Sequence, residues 1–272
     1  MDMLSSRAKL FSIAFLLLSV THVIKSQQVD WGFSYDENSE RGPSHWGELR
    51  PEWWQCGAGK MQTPIDLESK PVVYSNLGPI NNYYTTHFAI LENRGYDMML
   101  SWPLGRGFLS INGVSYSFRQ VHWHSPSEHV INGTSYDLEA HLVHVSNDGQ
   151  IAVLAMLYQI GETPDPILSV IEDDLKELAG TLGVTKYVGY IDPNLLQARG
   201  RRYYRYMGSF TTPPCTEGVV WTVIRTIRSV TKEQVALIRN AIHDETKTNA
   251  RPLQPINDRF VEFDRPGEHS ED

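Results

Sequence analysis

Long apolar runs, positive charge and cysteine are all scarce in this chain of 272 residues. The run from Leu10 to Val20 has 11 residues, and no later stretch is long enough for a bilayer span, which needs roughly 20. Lysine and arginine number 24 against 32 acidic residues, and this excess of acid argues against binding nucleic acid or anionic membranes. Repeats and low-complexity linkers are also missing, which favours one domain with a sizeable core.

The N-terminus has the composition of a secretory signal peptide. Arg7 and Lys9 precede the apolar run, and the small residue Ser26 offers a cleavage point after it. The alternative, a membrane anchor, is disfavoured because the run is short. Residues 1–26 contribute +2 to the formal net charge of −8, which leaves −10 on the rest. We predict a signal peptide at 1–26, a single domain at 27–272, and secretion to the extracellular space or apoplast.

The two cysteines, Cys56 and Cys215, fit this location. Two cysteines in an oxidising compartment usually pair, and the alternative is two free buried thiols. Asn132-Gly133-Thr134 is a glycosylation sequon, and its Asn-Gly step also favours a turn. The sequence therefore makes Asn132 the candidate site of glycosylation.

Strand patterns dominate the middle of the chain. Residues 107–113 and 151–157 are short apolar or alternating runs bounded by turn residues, and Asp148-Gly149 is a hairpin signal before the second. Helical spacing occurs over 167–178, and Thr231 with Gln234 forms a capping box ahead of another helix. We predict a mainly β domain with a few surface helices.

Two predicted strands carry histidines on one face. Side chains alternate along a strand, so His122 and His124 point the same way, as does Gln120. The turn at Asn132-Gly133 allows a hairpin that brings His141 beside them. Three imidazoles fill three tetrahedral positions of Zn²⁺ and leave the fourth open for water, which is typical of a catalytic site.

Two neighbours strengthen the metal hypothesis. Gln120 and Glu139 each precede a histidine by two residues, so each can accept a ring N–H and fix the tautomer of a ligand. His144 is at odd spacing from His141 and is predicted to face the core with a hydrogen-bond partner.

Other readings compete with a zinc site. The chain has ten histidines, so a His-x-His pair on its own is better explained by two ordinary histidines. The spacing of His122, His124 and Glu128 loosely resembles the first motif of the metal-binding cupins. The preceding glycine of that motif is replaced by Tyr116, and the second motif has no match, so the cupin alternative is disfavoured.

Longer motifs carry a resemblance to a known family. The chain resembles the alpha-class carbonic anhydrases, most closely their land-plant branch, over roughly residues 30–265. The motifs are Gly42-Pro43-Ser44-His45-Trp46-Gly47, Gln62-Thr63-Pro64-Ile65-Asp66, His122-Trp123-His124-Ser125-Pro126-Ser127-Glu128-His129, Glu139-Ala140-His141-Leu142-Val143-His144, Gly208-Ser209-Phe210-Thr211-Thr212-Pro213-Pro214-Cys215-Thr216-Glu217-Gly218 and Asn249-Ala250-Arg251-Pro252-Leu253-Gln254-Pro255.

The resemblance implies a single domain around a large, twisted, mostly antiparallel sheet of about ten strands. It also implies that Cys56 pairs with Cys215, and that cis peptide bonds precede Pro64 and Pro214, where proline makes them accessible. The expected partners are CO₂ and bicarbonate, and the expected assembly is a monomer or a dimer.

The resemblance further implies the reversible hydration of CO₂ by zinc-bound hydroxide, with one Zn²⁺ per chain. Zinc lowers the pKa of bound water from about 9 in the aqueous ion to about 7. Thr211 is expected to accept a hydrogen bond from the hydroxide and donate one to Glu128, which the residues alone would make a ligand or a base. Thr212 is expected to contact bicarbonate. The expected apolar wall, which composition alone would call ordinary core, is Val143, Val153, Phe210 and Trp221.

One position departs from the fast members of the family. The histidine that relays protons there is replaced by Tyr96, and an unperturbed tyrosine has a pKa of about 10. We therefore expect hydration to be limited by proton transfer, with His45 or His87 as candidate substitutes.

Two alternatives stay open at this point. The chain also resembles the dioscorin and nectarin type of protein, and dioscorins are tuber storage proteins, so a non-catalytic storage or binding role on the same scaffold is the alternative function. Some plant relatives reach the chloroplast stroma through the secretory route, which is the alternative location.

Overall fold

A computed structural model describes residues 31–103, 107–244 and 246–264. The predicted signal peptide lies outside the described residues. Twelve strands account for most of the regular structure in this part of the chain. They are β1 Val73–Ser75, β2 Asn81–Tyr84, β3 His87–Asn93, β4 Met98–Ser101, β5 Gly107–Ile111, β6 Val114–His124, β7 Leu138–Ser146, β8 Ile151–Ile160, β9 Thr185–Ile191, β10 Tyr203–Ser209, β11 Glu217–Val230 and β12 Glu262–Asp264.

The strands form one mixed sheet. Ten follow the order β1-β12-β10-β11-β8-β7-β6-β4-β3-β9, and the pairs β1–β12 and β8–β11 are parallel, whereas the other pairs are antiparallel. The predicted mostly antiparallel, mainly β fold is confirmed. The sheet has two strands more than the expected ten because β6 is long enough to pair with two neighbours. Its first residues pair with β5, which in turn pairs with β2, and its last residues pair with β4.

Both faces of the central sheet are buried. Along β8, Ala152, Leu154 and Met156 belong to one apolar core, and Val153 and Ala155 belong to another on the opposite face. A strand buried on both sides has no polar face, which explains why this stretch is a continuous apolar run in the sequence. We call the face that carries Val153 the metal face, because the histidines described below lie on it.

Helices are few and short. They are α1 Trp46–Leu49, α2 Gln55–Ala58, α3 Pro166–Val170, α4 Glu172–Leu178 and α5 Lys232–Ala241, with 3-10 turns at Pro43–His45, Pro51–Trp53 and Pro193–Leu196. The predicted helix over 167–178 is divided between α3 and α4, because Ile171 leaves the helical region at φ −104° and ψ 13°. The capping box of Thr231 and Gln234 is present at the start of α5.

Several covalent and backbone features match the expectations. Cys56 and Cys215 form a disulfide, and the bonds before Pro64 and Pro214 are cis. A third cis bond precedes Pro126, which the sequence did not indicate. Among the described residues, no helix is long and apolar enough to cross a membrane.

Candidate metal centre

The register of β6 and β7 brings three histidines together. His122 lies directly opposite His141, and His124 lies opposite Glu139, so all four side chains share the metal face. The ring centroids of the three histidines are 4.5 to 5.2 Å apart. One nitrogen from each ring lies within 4.8 Å of the others, which is the spacing of a metal site.

Hydrogen bonds commit one nitrogen of each ring and leave the other. His122 Nδ1 lies 2.9 Å from Gln120 Oε1, and His141 Nε2 lies 2.7 Å from Glu139 Oε1. His124 Nδ1 lies 2.7 Å from the carbonyl oxygen of Asn249. Because each partner accepts, the hydrogen-bonded nitrogens carry the protons. The free lone pairs are therefore on His122 Nε2, His124 Nε2 and His141 Nδ1.

Burial keeps these imidazoles neutral. It lowers the pKa of His122 well below the usual range and that of His124 to about 3, and neighbouring rings add to both effects. Burial also lowers the pKa of His141, although Glu139 opposes this effect. Neutral imidazole is the form that ligates metal, so the site is ready for a cation at neutral pH.

Glu139 organises the back of the site. Its Oε1 accepts from His141 and from His129 Nδ1 at 2.6 Å, and its Oε2 accepts the backbone N–H groups of Glu128 and His129. Burial favours protonation of this carboxyl, but the His129 and His141 rings hold its pKa well below the usual range. Glu139 is therefore a buried anion that fixes two imidazoles. The sequence did not indicate His129 as its second partner.

The carboxyl group of Glu128 lies beside two of the histidines, 3.6 Å from His124 Nδ1 and 3.9 Å from His141 Nδ1. Its Oε1 accepts the backbone N–H of Arg251 at 2.9 Å, and its Oε2 has no fully formed hydrogen bond among the described residues. Burial, followed by the charge of Glu139, raises its pKa well above the usual range, whereas Arg251 and the hydroxyl of Thr211 lower it. Thr211 is thus the hydroxyl placed to donate to Glu128.

The loop that carries Thr211 is anchored on several sides. Ser209 Oγ accepts from the backbone of Thr63, the Ser209 carbonyl accepts from the indole of Trp221, and Cys215 holds the far end through the disulfide. The Arg251 guanidinium, whose pKa burial lowers to about 10, donates to Gln62 and to the carbonyls of Thr63 and Cys56. The Ser209 bonds hold the start of the loop on β10 and β11, and Arg251 orders the segment around Gln62, which donates to the Cys215 carbonyl at the far end.

A cavity of about 210 Å³ opens above the histidines. Val143, Val153 and Trp221 are consecutive cross-strand neighbours on β7, β8 and β11, so they form one apolar row beside His141. The described residues that line the cavity are Arg94, Asp97, Gln120, His122, His141, Val143, Val153, Phe210, Thr211, Thr212, Pro213, Pro214 and Trp221. The structure therefore brings together the predicted apolar wall, both threonines and the histidine cluster.

Tyr96 lies outside that lining. Its ring packs against Trp31 and Phe33, and the Arg94 guanidinium lies 5.0 Å from the ring centroid. Burial, followed by the charge of Asp97, raises the pKa of Tyr96 to about 12. The cavity is lined instead by Arg94 and Asp97, which form a bidentate ion pair. His45 and His87 are not among the described residues that line the cavity.

The donor set fits a zinc ion. His124 Nε2 is fully buried with no partner among the described residues, which is costly unless the nitrogen binds something. Three neutral nitrogens beside an open cavity suit tetrahedral Zn²⁺ with one exchangeable position. A second cluster of His129, Glu139 and His141 has comparable spacing, but its members already bond one another, so it supports the first cluster instead.

Two contributions escaped the sequence reasoning. Asn249 supplies the carbonyl for His124, and its side chain also bonds the backbone of Tyr96, Trp123 and Ser125. Asp97 reaches the cavity from a turn. Both lie outside the strand alternation that identified the histidines, and only the family motif around Asn249 hinted at either.

Comparison with known proteins identifies the family. Residues 41–265 match the eukaryotic-type carbonic anhydrase family. The chain is 46% identical over 261 residues to alpha carbonic anhydrase 7 of Arabidopsis thaliana, covering 94% of each sequence. It is 44% identical over 257 residues to carbonic anhydrase Nec1 of Nesocodon mauritianus, covering 92% of each.

A solved structure agrees with this result. The crystal structure of dioscorin complexed with ascorbate superposes with a TM-score of 0.83 at 43% identity, covering 87% of this chain and 99% of that one. Fold, histidine geometry and sequence thus agree, and the chain belongs to the eukaryotic-type, alpha-class carbonic anhydrases.

Proposed function

We propose that this protein catalyses the reversible hydration of CO₂ to bicarbonate and a proton with one Zn²⁺ held by His122, His124 and His141. The observation that carries the proposal is the convergence of three unprotonated ring nitrogens, one of them buried and unpartnered, at the base of an open cavity. When bound, zinc supplies a nucleophile at neutral pH by lowering the pKa of a water ligand to about 7.

Thr211 and Glu128 are proposed to orient that nucleophile. Burial raises the pKa of Glu128, but the charge of a bound zinc ion would favour its ionised form. The carboxylate then has an oxygen free to accept, and the Thr211 hydroxyl is the donor beside it. A hydroxyl that donates to a carboxylate can accept only from the other side, which here is the cavity. Thr211 would therefore accept only from a donor in the cavity and would fix the orientation of that donor toward the substrate.

The apolar wall is proposed to hold CO₂, and Thr212 to contact bicarbonate. Val143, Val153 and Trp221 present only carbon surface and an indole edge beside His141. Trp221 commits its N–H to the Ser209 carbonyl, so it offers the cavity no donor. A nonpolar molecule gains contact there without displacing a hydrogen-bonded group.

Proton release is proposed to be the slow step. Tyr96 is packed away from the cavity and has a raised pKa, so it cannot take up protons near pH 7. A buffer base small enough to enter the cavity would then carry the proton. Turnover should rise with imidazole concentration at constant pH, and a high turnover unaffected by imidazole would refute this part of the proposal.

The central test measures metal and activity together. Purified wild-type protein should contain one zinc per chain and hydrate CO₂ in a stopped-flow assay, and His122→Ala should lose both. His45→Ala is the matched control, because His45 is half exposed and lies outside the cavity lining, and it should lose neither. Zinc-free, inactive wild-type protein would overturn the proposal.

The alternative function is a non-catalytic storage or binding role. Its support is the likeness to dioscorin, whose structure holds ascorbate. A protein of this second kind would fold without activity even when loaded with zinc. Hydration by the zinc-loaded protein decides between the two, since binding of a small molecule is compatible with both.

Processing and location remain proposals. We infer cleavage after residue 26, a single domain over 27–272, and passage through the secretory route to the apoplast, with the chloroplast stroma as the alternative. The disulfide and the exposed position of Asn132 in a tight turn support this route. Mass spectrometry of protein from a secreting host would locate the mature N-terminus and any sugar, and sedimentation would distinguish monomer from dimer.

A further inference from the structure

A second cavity lies on the face of the sheet opposite the metal centre. It has a volume of about 560 Å³, against about 210 Å³ for the metal cavity. Cavities of roughly 300–1,000 Å³ are the size that takes drug-sized molecules in proteins. We call it the outer cavity and define it by Arg205, Met207, Val220, Phe260 and Glu262, with a hairpin described below.

Strand alternation places its floor back to back with the zinc site. Met207 lies opposite Val220, and Tyr206 lies opposite Trp221. Trp221 packs on His141, so the Tyr206–Trp221 pair faces the metal and the Met207–Val220 pair faces away. A ligand over the Met207–Val220 floor is therefore separated from the zinc site by the sheet, although Tyr206 also lines part of the outer cavity.

The walls are mostly carbon. Ile111 and Val114, at the tip of the β5–β6 hairpin, form one side, and Leu77 and Phe260 form another. Met207 and Phe260 are 42% and 62% exposed. Large apolar side chains gathered around a cavity and left in water mark a binding site for an apolar molecule.

The polar groups are few and balanced in charge. Arg205 Nε donates to Thr222 Oγ1 at 2.8 Å, and its guanidinium lies 5.1 Å from the ring centroid of Tyr203. Glu262 Oε1 accepts from Ser75 at 2.9 Å. Arg259 donates to backbone carbonyls, and Asp258 also lines the cavity. Two cations and two carboxylates thus line the cavity, and two of these residues, Arg205 and Glu262, are direct cross-strand neighbours.

We propose that the outer cavity binds an uncharged, flat aromatic molecule that carries a hydroxyl group and a carbonyl or ether oxygen. The rings would lie between Val220, Met207 and the hairpin, with Arg205 donating to the ligand and Glu262 accepting from it. Because the lining charges cancel, an ion gains no net attraction.

Binding can be tested on the full zinc-loaded chain with Nile red, a neutral, flat dye that fluoresces in apolar surroundings. The dye should bind at one per chain. The neutral probe 2-naphthol should displace it at concentrations at least tenfold lower than the anionic 2-naphthoate, which has the same rings. Sulfanilamide, added to occupy the zinc site, should not displace it.

Two variants locate the site. Met207→Glu should weaken dye binding at least tenfold, since it places a charge on the floor, and Met207→Leu should retain it. Arg205→Met should reduce the affinity for 2-naphthol while leaving CO₂ hydration unchanged, which keeps this test separate from the proposed function.

Four outcomes would overturn the proposal. They are equal or tighter binding of 2-naphthoate, displacement of the dye by sulfanilamide, wild-type affinity in Met207→Glu, and a stable dimer in sedimentation that excludes the dye, which would make a second copy the occupant.

Discussion

His141 and His144 lie three residues apart on β7 and face opposite sides of the sheet. Both are buried, and burial lowers the pKa of both. His144 is enclosed by rings: Phe118 packs on it, and Tyr84 stacks on it with a hydroxyl 2.8 Å from Nε2. His141 instead shares its face with two more imidazoles and a carboxylate, beside an open cavity.

The difference shows what distinguishes a metal site from a core histidine. Neither burial nor a depressed pKa separates the two, since both residues have them. What separates them is where the ring nitrogens point: on the metal face three converge on one point, whereas those of His144 meet the Tyr84 hydroxyl and the backbone of Leu142 and Ala152. A cation can satisfy the first arrangement only.

The largest effect should come from exchanging these two residues for phenylalanine. His141→Phe should remove zinc and lower turnover by at least about a thousandfold, because the metal supplies several kcal/mol to the reaction. His144→Phe should keep zinc and activity, but lower the free energy of unfolding by about 1–3 kcal/mol by leaving the Tyr84 hydroxyl unpaired. Metal analysis, stopped-flow hydration and urea denaturation measure the three quantities. If His144→Phe lost zinc while His141→Phe kept it, the roles assigned to the two histidines would be reversed.

Thr211→Val separates metal binding from catalysis on the metal face. The substitution keeps the shape but removes the hydroxyl next to Glu128, so zinc content should stay at one per chain. Turnover should fall on the order of 10²-fold, the usual cost of losing a hydrogen-bonding group that acts in the transition state. Thr212→Val, at the next position along the cavity, should have a smaller effect. Equal losses in both variants would argue that Thr211 has no special role.

Acid should lower the stability of the protein through His144 in a defined pH range. Burial lowers the pKa of His144 to about 4, against about 6.5 in an unfolded chain. Below pH 6.5 the unfolded state therefore takes up a proton that the folded state refuses, and stability falls until about pH 4. The loss from this residue is on the order of 3 kcal/mol.

The measurement is urea denaturation of the metal-free protein from pH 7 to pH 4, for the wild type and for His144→Phe. The variant should lose less stability over that range, since it lacks the titrating group. Identical slopes in the two proteins would show that His144 is not the source.

Strand alternation explains how far the sequence could go. It placed His122 and His124 on one face and His144 on the other, because a period of two needs only local information. It could not foresee the bulge in β6 between Phe118 and Gln120. These two residues are two positions apart, which predicts a shared face, but the bulge sends Phe118 to the opposite core beside His144.

Contacts between distant segments were also beyond the sequence. Asn249 reaches His124 from 125 residues away, and the outer cavity is built from segments as separate as Ile111 and Phe260. Tyr96 was identified as the replaced relay by resemblance, but its packing against Trp31 and Phe33 depends on the tertiary fold.

The smallest effect is expected at Tyr96, where a substitution tests how protons leave the metal face. Tyr96→His introduces a ring with a pKa near about 6.5, which can exchange protons at neutral pH. Turnover in dilute buffer should rise by about tenfold, below the 10²–10⁴-fold of a well-placed acid–base group, because the surrounding aromatic residues hold the side chain outside the cavity lining. The dependence on imidazole should shrink in parallel, and Tyr96→Phe should match the wild type in both respects. If Tyr96→Phe lowers turnover instead, the tyrosine hydroxyl takes part in the relay despite its raised pKa. Protons then leave the metal face past the aromatic residues around Tyr96 rather than through the open cavity.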